Sequence, residues 1–189
     1  KWVKPSISII TSIGQAHLER IGSIDNIVKA KSEILETADT VVLWVSDENL
    51  DKLAASIKGK RVIRCGYEDK PQLELKVSNA KDEIIFTDKH NNKIARIPSN
   101  SPLHESNIAC ALGACMALGL DITKMQNKVS ELSTPEHRAT TGKADKGYIV
   151  IDNTFNSNLV GAKSNVETLA SEVKNGKKYV VTPGMVELG

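Results

Sequence analysis

Thr40-Val41-Val42-Leu43-Trp44-Val45 is an apolar, largely β-branched run with no charged residue in it. A strand of this composition is buried on both faces, as in a parallel sheet under covering helices. The pattern repeats outward on either side. Ser6–Thr11 (SISIIT) reads as a short buried strand and Arg61–Cys65 (RVIRC) as a third. Between the first two, Ser23 or Asp25 can cap a helix over Asn26–Ala38; between the second and third, Asp47 can cap one over Glu48–Ile57. This β-α-β-α-β order predicts an α/β domain with a parallel sheet.

Further along, the character changes. Leu73–Ser78, Glu83–Thr87 and Lys93–Ile97 are short, alternating and separated by turn residues such as Asn91-Asn92, which predicts a small antiparallel meander. Helices are expected over His104–Leu118 and Ile122–Leu132. A boundary near Ser133–Pro135 precedes a strand ending in Asp152, a polar loop, a helix over Leu159–Val173 and a strand at Lys178–Thr182. The organisation expected is therefore residues 1–134 as one domain and 135–189 as the opening of a second α/β unit. Lys1 opens the chain without a methionine and Gly189 closes it just past a strand and turn, so the expectation is a piece of a longer protein.

Composition narrows the function. The 189 residues carry a formal charge of +2 from 25 basic and 23 acidic side chains, which gives no electrostatic case for nucleic acid. At 40% hydrophobic, the chain is ordinary for a globular protein, and no run approaches the ~18 apolar residues of a membrane span. Cys65, Cys110 and Cys115 fit neither a zinc pattern nor a disulfide framework and are expected as free thiols in a reducing cytoplasm. Lys1-Trp2-Val3-Lys4 leads into a short strand and not into an apolar h-region, so the expectation is that this stretch is no secretory leader.

The most informative side chain is Lys31. Ile24, Ile27, Val28, Ile34, Leu35 and Ala38 form one helical stripe at ~100° per residue, with Lys31 in its centre and Lys29 on the opposite face. A lysine there snorkels, is paired or is neutralised, and a neutral, shielded amine can add carbon dioxide to become a carbamate, an oxygen ligand for metals. His17, just past the first strand, stands where ligands gather at a sheet edge, though a lone histidine also serves as a loop or core residue. His90 and His104 are expected in surface loops.

Ile13-Gly14-Gln15-Ala16-His17-Leu18-Glu19-Arg20-Ile21-Gly22-Ser23, continuing to Lys29-Ala30-Lys31-Ser32-Glu33-Ile34, resembles the Mur ligases, nearest their dipeptide-adding members. Asn107-Ile108-Ala109-Cys110-Ala111-Leu112, Pro135-Glu136-His137-Arg138, Ile151–Asn158 and Gly184–Gly189 follow in the family's order. The resemblance implies an ATP-dependent amide ligase of peptidoglycan precursor synthesis. It would join D-Ala-D-Ala to a UDP-MurNAc-tripeptide through an acyl-phosphate, with Mg2+, as a cytoplasmic monomer without nucleic-acid or membrane partners. It implies that Lys31, as its carbamate, and His17 hold magnesium, that Asn107 sits by the adenine, and that Arg138 contacts the ATP phosphates. It places Asp152, Asn156 and Asn158 along the nucleotide and the incoming amino substrate, with Asn153 where a carboxylate usually meets the ribose.

The resemblance also implies a fold: the later part of a P-loop-type central domain over 1–134, then the start of a Rossmann-like C-terminal domain over 135–189. No G-x-x-x-x-G-K-[ST] run occurs, so the chain by itself is expected not to turn over ATP. Cys110, Ser106, Asn153 and Gly184 depart from the family pattern. Two other readings stay open. One is a sister amide ligase of the folylpolyglutamate or cyanophycin synthetase type, and the other a non-catalytic nucleotide-binding remnant.

Overall fold

The sheet is built around β2 (Thr40–Trp44), whose Val41, Val42 and Leu43 are wholly removed from solvent. In the computed structural model, which describes residues 3–15, 18–134, 140–144, 146–154, 159–172, 176–182 and 184, β1 (Ile7–Ile10) and β3 (Arg61–Tyr67) flank it in parallel. The sheet continues through β4 (Leu75–Asn79), β5 (Glu83–Asp88) and β6 (Lys93–Pro98) in the order β1-β2-β3-β4-β5-β6. The expected meander is thus an extension of the parallel sheet. β4 runs parallel to β3 over Cys65–Tyr67 against Leu75–Val77, and only β5 and β6 turn antiparallel. Leu75 and Val77 are fully buried on one face of β4, which is why that strand shares the core.

Helices cover this sheet. Gly22 (φ +91°) makes the turn between α1 (Leu18–Ile21) and α2 (Ile24–Ser32), and the Asn26 side chain closes it by donating to Ile21 O at 2.9 Å. Ser23 caps α2 by accepting from Asn26 N–H. α2 is shorter than expected: at Ser32 it tightens into a 3-10 turn over Glu33–Leu35. Ser8, buried in β1, donates to Ile34 O at 2.8 Å and fixes that turn against the strand. α3 (Glu48–Ser56) is capped by Asp47, as its sequence predicts. α4 (Glu105–Ala117) lies over β1 to β4, and its small residues let it approach closely.

The single helix expected over Ile122–Leu132 is two pieces, a 3-10 turn at Ile122–Lys124 and α5 (Gln126–Ser130). The break puts Gln126 on the open edge of β6. There its side-chain oxygen accepts from Arg96 N–H at 2.9 Å and its amide donates to Arg96 O at 3.3 Å, satisfying edge groups that no strand pairs.

The chain divides into two compact units, Lys1–Gln15 with Ile21–Leu132 and Ala16–Arg20 with Ser133–Gly189. The second holds a hairpin of β7 (Thr140–Lys143) and β8 (Ile149–Asp152), turned at Gly147 (φ +80°), and α6 (Leu159–Glu172). β7 has no counterpart in the sequence pattern, because Thr-Thr-Gly-Lys has no apolar alternation. The strand expected at Lys178–Thr182 is absent. Tyr179, Val180 and Val181 are 75%, 62% and 97% exposed, and an apolar run becomes a strand only against a hydrogen-bonding neighbour, which the described residues do not supply.

Candidate functional site

In a parallel sheet, ligands gather beyond the carboxyl ends of the strands. Lys31 stands at that end of β1. Its ammonium donates to Ser12 O at 2.9 Å, beside an open groove of about 370 Å³ bordered by Thr11, Ser12, Ala30 and Lys31. The side chain is exposed, so of the outcomes its stripe leaves open the structure has the snorkelling one. Beyond Lys31 the helix tightens into the 3-10 turn, from which Leu35 and then Ala38 still reach the core while Ile34 turns outward at 47% exposed. Lys31 therefore snorkels to a backbone carbonyl.

The loop after β1 is pinned from its other side. Asp47 Oδ2 accepts from Ile13 N–H at 2.7 Å, while Oδ1 accepts from Asn49 and Leu50 N–H at the start of α3. The sequence pattern marks Asp47 as a cap. The tether to Ile13 lies beyond local pattern, since α1, α2, the 3-10 turn and β2 all lie between the two residues.

At the carboxyl end of β3, Tyr67 donates to Glu105 Oε1 at 2.5 Å and so ties the first turn of α4 to the sheet. Its ring meets Trp44 edge-on, with centroids 5.2 Å apart. Burial, and then the Glu105 carboxylate, push the Tyr67 hydroxyl up to about 12. Asn107 is exposed in that same first turn. Lys31 and Asn107 thus both belong to the carboxyl side of the parallel strands. Neither Tyr67 nor Glu105 stands out in the sequence, where a tyrosine at a strand end and an acid at a helix start carry no signal of their pairing.

Asp152 ends β8 and is half-buried. Its Oδ1 accepts from Thr154 N–H at 3.0 Å and Thr154 Oγ1 at 2.8 Å, folding Asp152-Asn153-Thr154 into a tight turn with Asn153 also half-buried. His17, Arg138, Asn156 and Asn158 lie outside the described residues. Among the described residues no three His, Cys, Asp or Glu side chains converge as a metal cluster. Lys31 could serve a cation only after conversion to an oxygen donor, and the groove beside its amine leaves room for one. His90 and His104 are exposed, as expected, and no helix among the described residues is long and apolar enough to cross a membrane.

Comparison with known proteins agrees with this architecture. Residues 1–117 match the Mur ligase middle domain. The UDP-N-acetylmuramoyl-tripeptide–D-alanyl-D-alanine ligase of Bacillus subtilis is 28% identical over 100% of this chain and 41% of its own length. The ligase of the same name from Buchnera aphidicola is 30% identical over 98% of this chain and 42% of its own. The chain thus spans about two-fifths of the curated relatives it matches. The crystal structure of the MurF ligase from Thermotoga maritima in complex with ADP superposes with a TM-score of 0.73 at 22% identity, over 99% of this chain and 44% of that one. With its sheet, covering helices and middle-domain match over more than half its length, the chain belongs to the Mur ligase family.

Proposed function

We propose that this chain is part of an ATP-dependent ligase that adds D-Ala-D-Ala to a UDP-MurNAc-tripeptide in cytoplasmic peptidoglycan precursor synthesis. What supports the reading is likeness along the whole chain to ligases of that name. Residues 1–134 supply the later part of the central domain and 135–189 the opening of the C-terminal domain. In this reading the tripeptide carboxylate takes the γ-phosphoryl group of ATP, giving an acyl-phosphate and ADP. The dipeptide amine then attacks the acyl carbon and phosphate leaves.

The residues divide that work. Asn107, exposed at the start of α4, presents an amide with two donors and an acceptor to the adenine edge. Arg138 offers a guanidinium fork to phosphate oxygens. Asp152 and Asn153 hold the nucleotide side of the second unit, and Asn156 and Asn158 the amino substrate. Lys31, as its carbamate, and His17 would hold Mg2+, which screens phosphate charge when bound.

The test is phosphate release by the full-length protein given ATP, UDP-MurNAc-tripeptide and either D-Ala-D-Ala or glutamate. Release with D-Ala-D-Ala alone is expected. Release only with glutamate moves the chain to the sister amide ligases, and none with either makes it a nucleotide-binding remnant. Lys31→Ala is expected to cut kcat by about 100-fold or more, since even groups that merely orient metal ligands cost 10- to 100-fold.

A further inference from the structure

Ser12 O and Ile13 N–H belong to one peptide group, and each is held by a charged side chain. The carbonyl accepts from the Lys31 ammonium at 2.9 Å, and the N–H donates to Asp47 Oδ2 at 2.7 Å. The bond is trans, so its N–H and C=O point in opposite directions and a peptide fixed at one end is fixed at the other. Ile13 is 8% exposed, which leaves its N–H little water as an alternative partner. A carboxylate on one side and an ammonium on the other polarise the peptide in the same sense, so each bond strengthens its neighbour.

We infer that Asp47 is a positioning residue for Lys31, acting through the Ser12–Ile13 peptide. Its two oxygens act separately. Oδ1 caps α3 through Asn49 and Leu50, and Oδ2 sets the plane of the peptide that receives Lys31. The carbonyl fixes where the Lys31 nitrogen stands at the groove. A carbamate keeps one N–H, so the same carbonyl can orient either form of the side chain. The role assigned to Lys31 as a ligand rests on the ligase reading; the coupling of Asp47 to Lys31 does not.

The two roles of Asp47 separate by substitution. Asp47→Ser keeps a hydroxyl for the helix cap but is too short to reach Ile13. Asp47→Asn keeps a capping oxygen and turns an amide N–H2 toward a peptide N–H. Each variant and the wild type would be treated with limiting acetic anhydride and acetylation read by mass spectrometry, with the exposed Lys29 of the same helix as internal reference. Acylation requires the amine to lose a proton and leave the carbonyl. Releasing the peptide is therefore expected to raise the Lys31-to-Lys29 labelling ratio about two- to tenfold, the span set by one hydrogen bond's net worth. Far-UV circular dichroism is expected to stay unchanged. An unchanged ratio in both variants overturns the inference, as does an equal rise at all lysines. If Asp47→Ser unfolds the chain, Asp47→Asn decides alone. The ratio reads the coupling whether or not the full-length protein is a ligase, so the two conclusions fail separately.

Discussion

Single atoms decide how closely α4 can lie on the sheet. A Cβ on Gly113 would stand 2.8 Å from Val42 Cγ1 and 2.9 Å from Cys65 Sγ, both on fully buried residues of β2 and β3. Alanine would gain about 1 kcal/mol in helix propensity. Overpacking a close-packed core costs about 1–3 kcal/mol, and both Val42 and Cys65 are fully buried. Gly113→Ala is therefore expected to lose up to about 2 kcal/mol net by urea denaturation. At the other end of the helix, Tyr67 ties α4 down with one hydroxyl. Its pKa lies above the 10.0 of an unperturbed tyrosine, at about 12, because burial and then Glu105 disfavour the phenolate. The folded chain then holds a proton that the unfolded chain gives up. Its contribution is complete below pH 10.0 and is lost as pH rises toward about 12. Denaturation midpoints across that window are expected to fall less steeply for Tyr67→Phe than for the wild type.

At the scale of elements, α3 packs against β2 and is joined to β3 by charge. Arg64 donates to Asp51 at 2.6 Å, and Lys70 reaches the same carboxylate at 3.3 Å. The Arg64 hydrogen bond, above all, holds the Asp51 carboxyl below the usual carboxylate value. Its contribution is present above that usual value and disappears as pH falls through the lowered one. With the pair partly exposed, Asp51→Asn is expected to cost about 0.5–1 kcal/mol at neutral pH. The variant's stability curve should meet the wild type's at low pH, where Asp51 is protonated in both states. The elements themselves are largely legible in the sequence, because β2 is a continuous apolar run, β3 is a shorter one broken by Arg64, and Ser23 and Asp47 are strong caps. What escapes it is pairing at a distance: the register that joins β4 to β3, the break at Gln126 that serves β6, and the Ile13–Asp47 tether. The candidate site is legible by family pattern at Lys31. The stripe leaves snorkelling, pairing and neutralisation of Lys31 open, and periodicity cannot choose among them, because the partner is the Ser12 carbonyl in the loop after β1.

Across the whole molecule, protection from solvent is uneven in a way that hydrogen exchange can read. β2 has a bonded neighbour on each side, and its residues from Val41 to Trp44 are at most 7% exposed. Opening those amides requires parting β1 and β3 and lifting the core off α4, which approaches global unfolding. β7 and β8 have only each other among the described strands, and Ile149 and Val150 remain 40% and 47% exposed. A two-stranded hairpin is marginal by itself, so its amides can open without disturbing the larger sheet. Exchange at Val41–Leu43 is therefore expected to be slower than at Gly142 and Val150, which face each other as a bonded pair of the hairpin, by about two orders of magnitude or more, after correction for intrinsic rates. Mass-spectrometric exchange with peptide resolution suffices, since the two segments lie far apart in sequence. Equal protection would mean that the hairpin opens only with the sheet. The stability of the chain would then be one cooperative quantity, and the Gly113→Ala loss should lower the protection of β7 and β8 as much as that of β2.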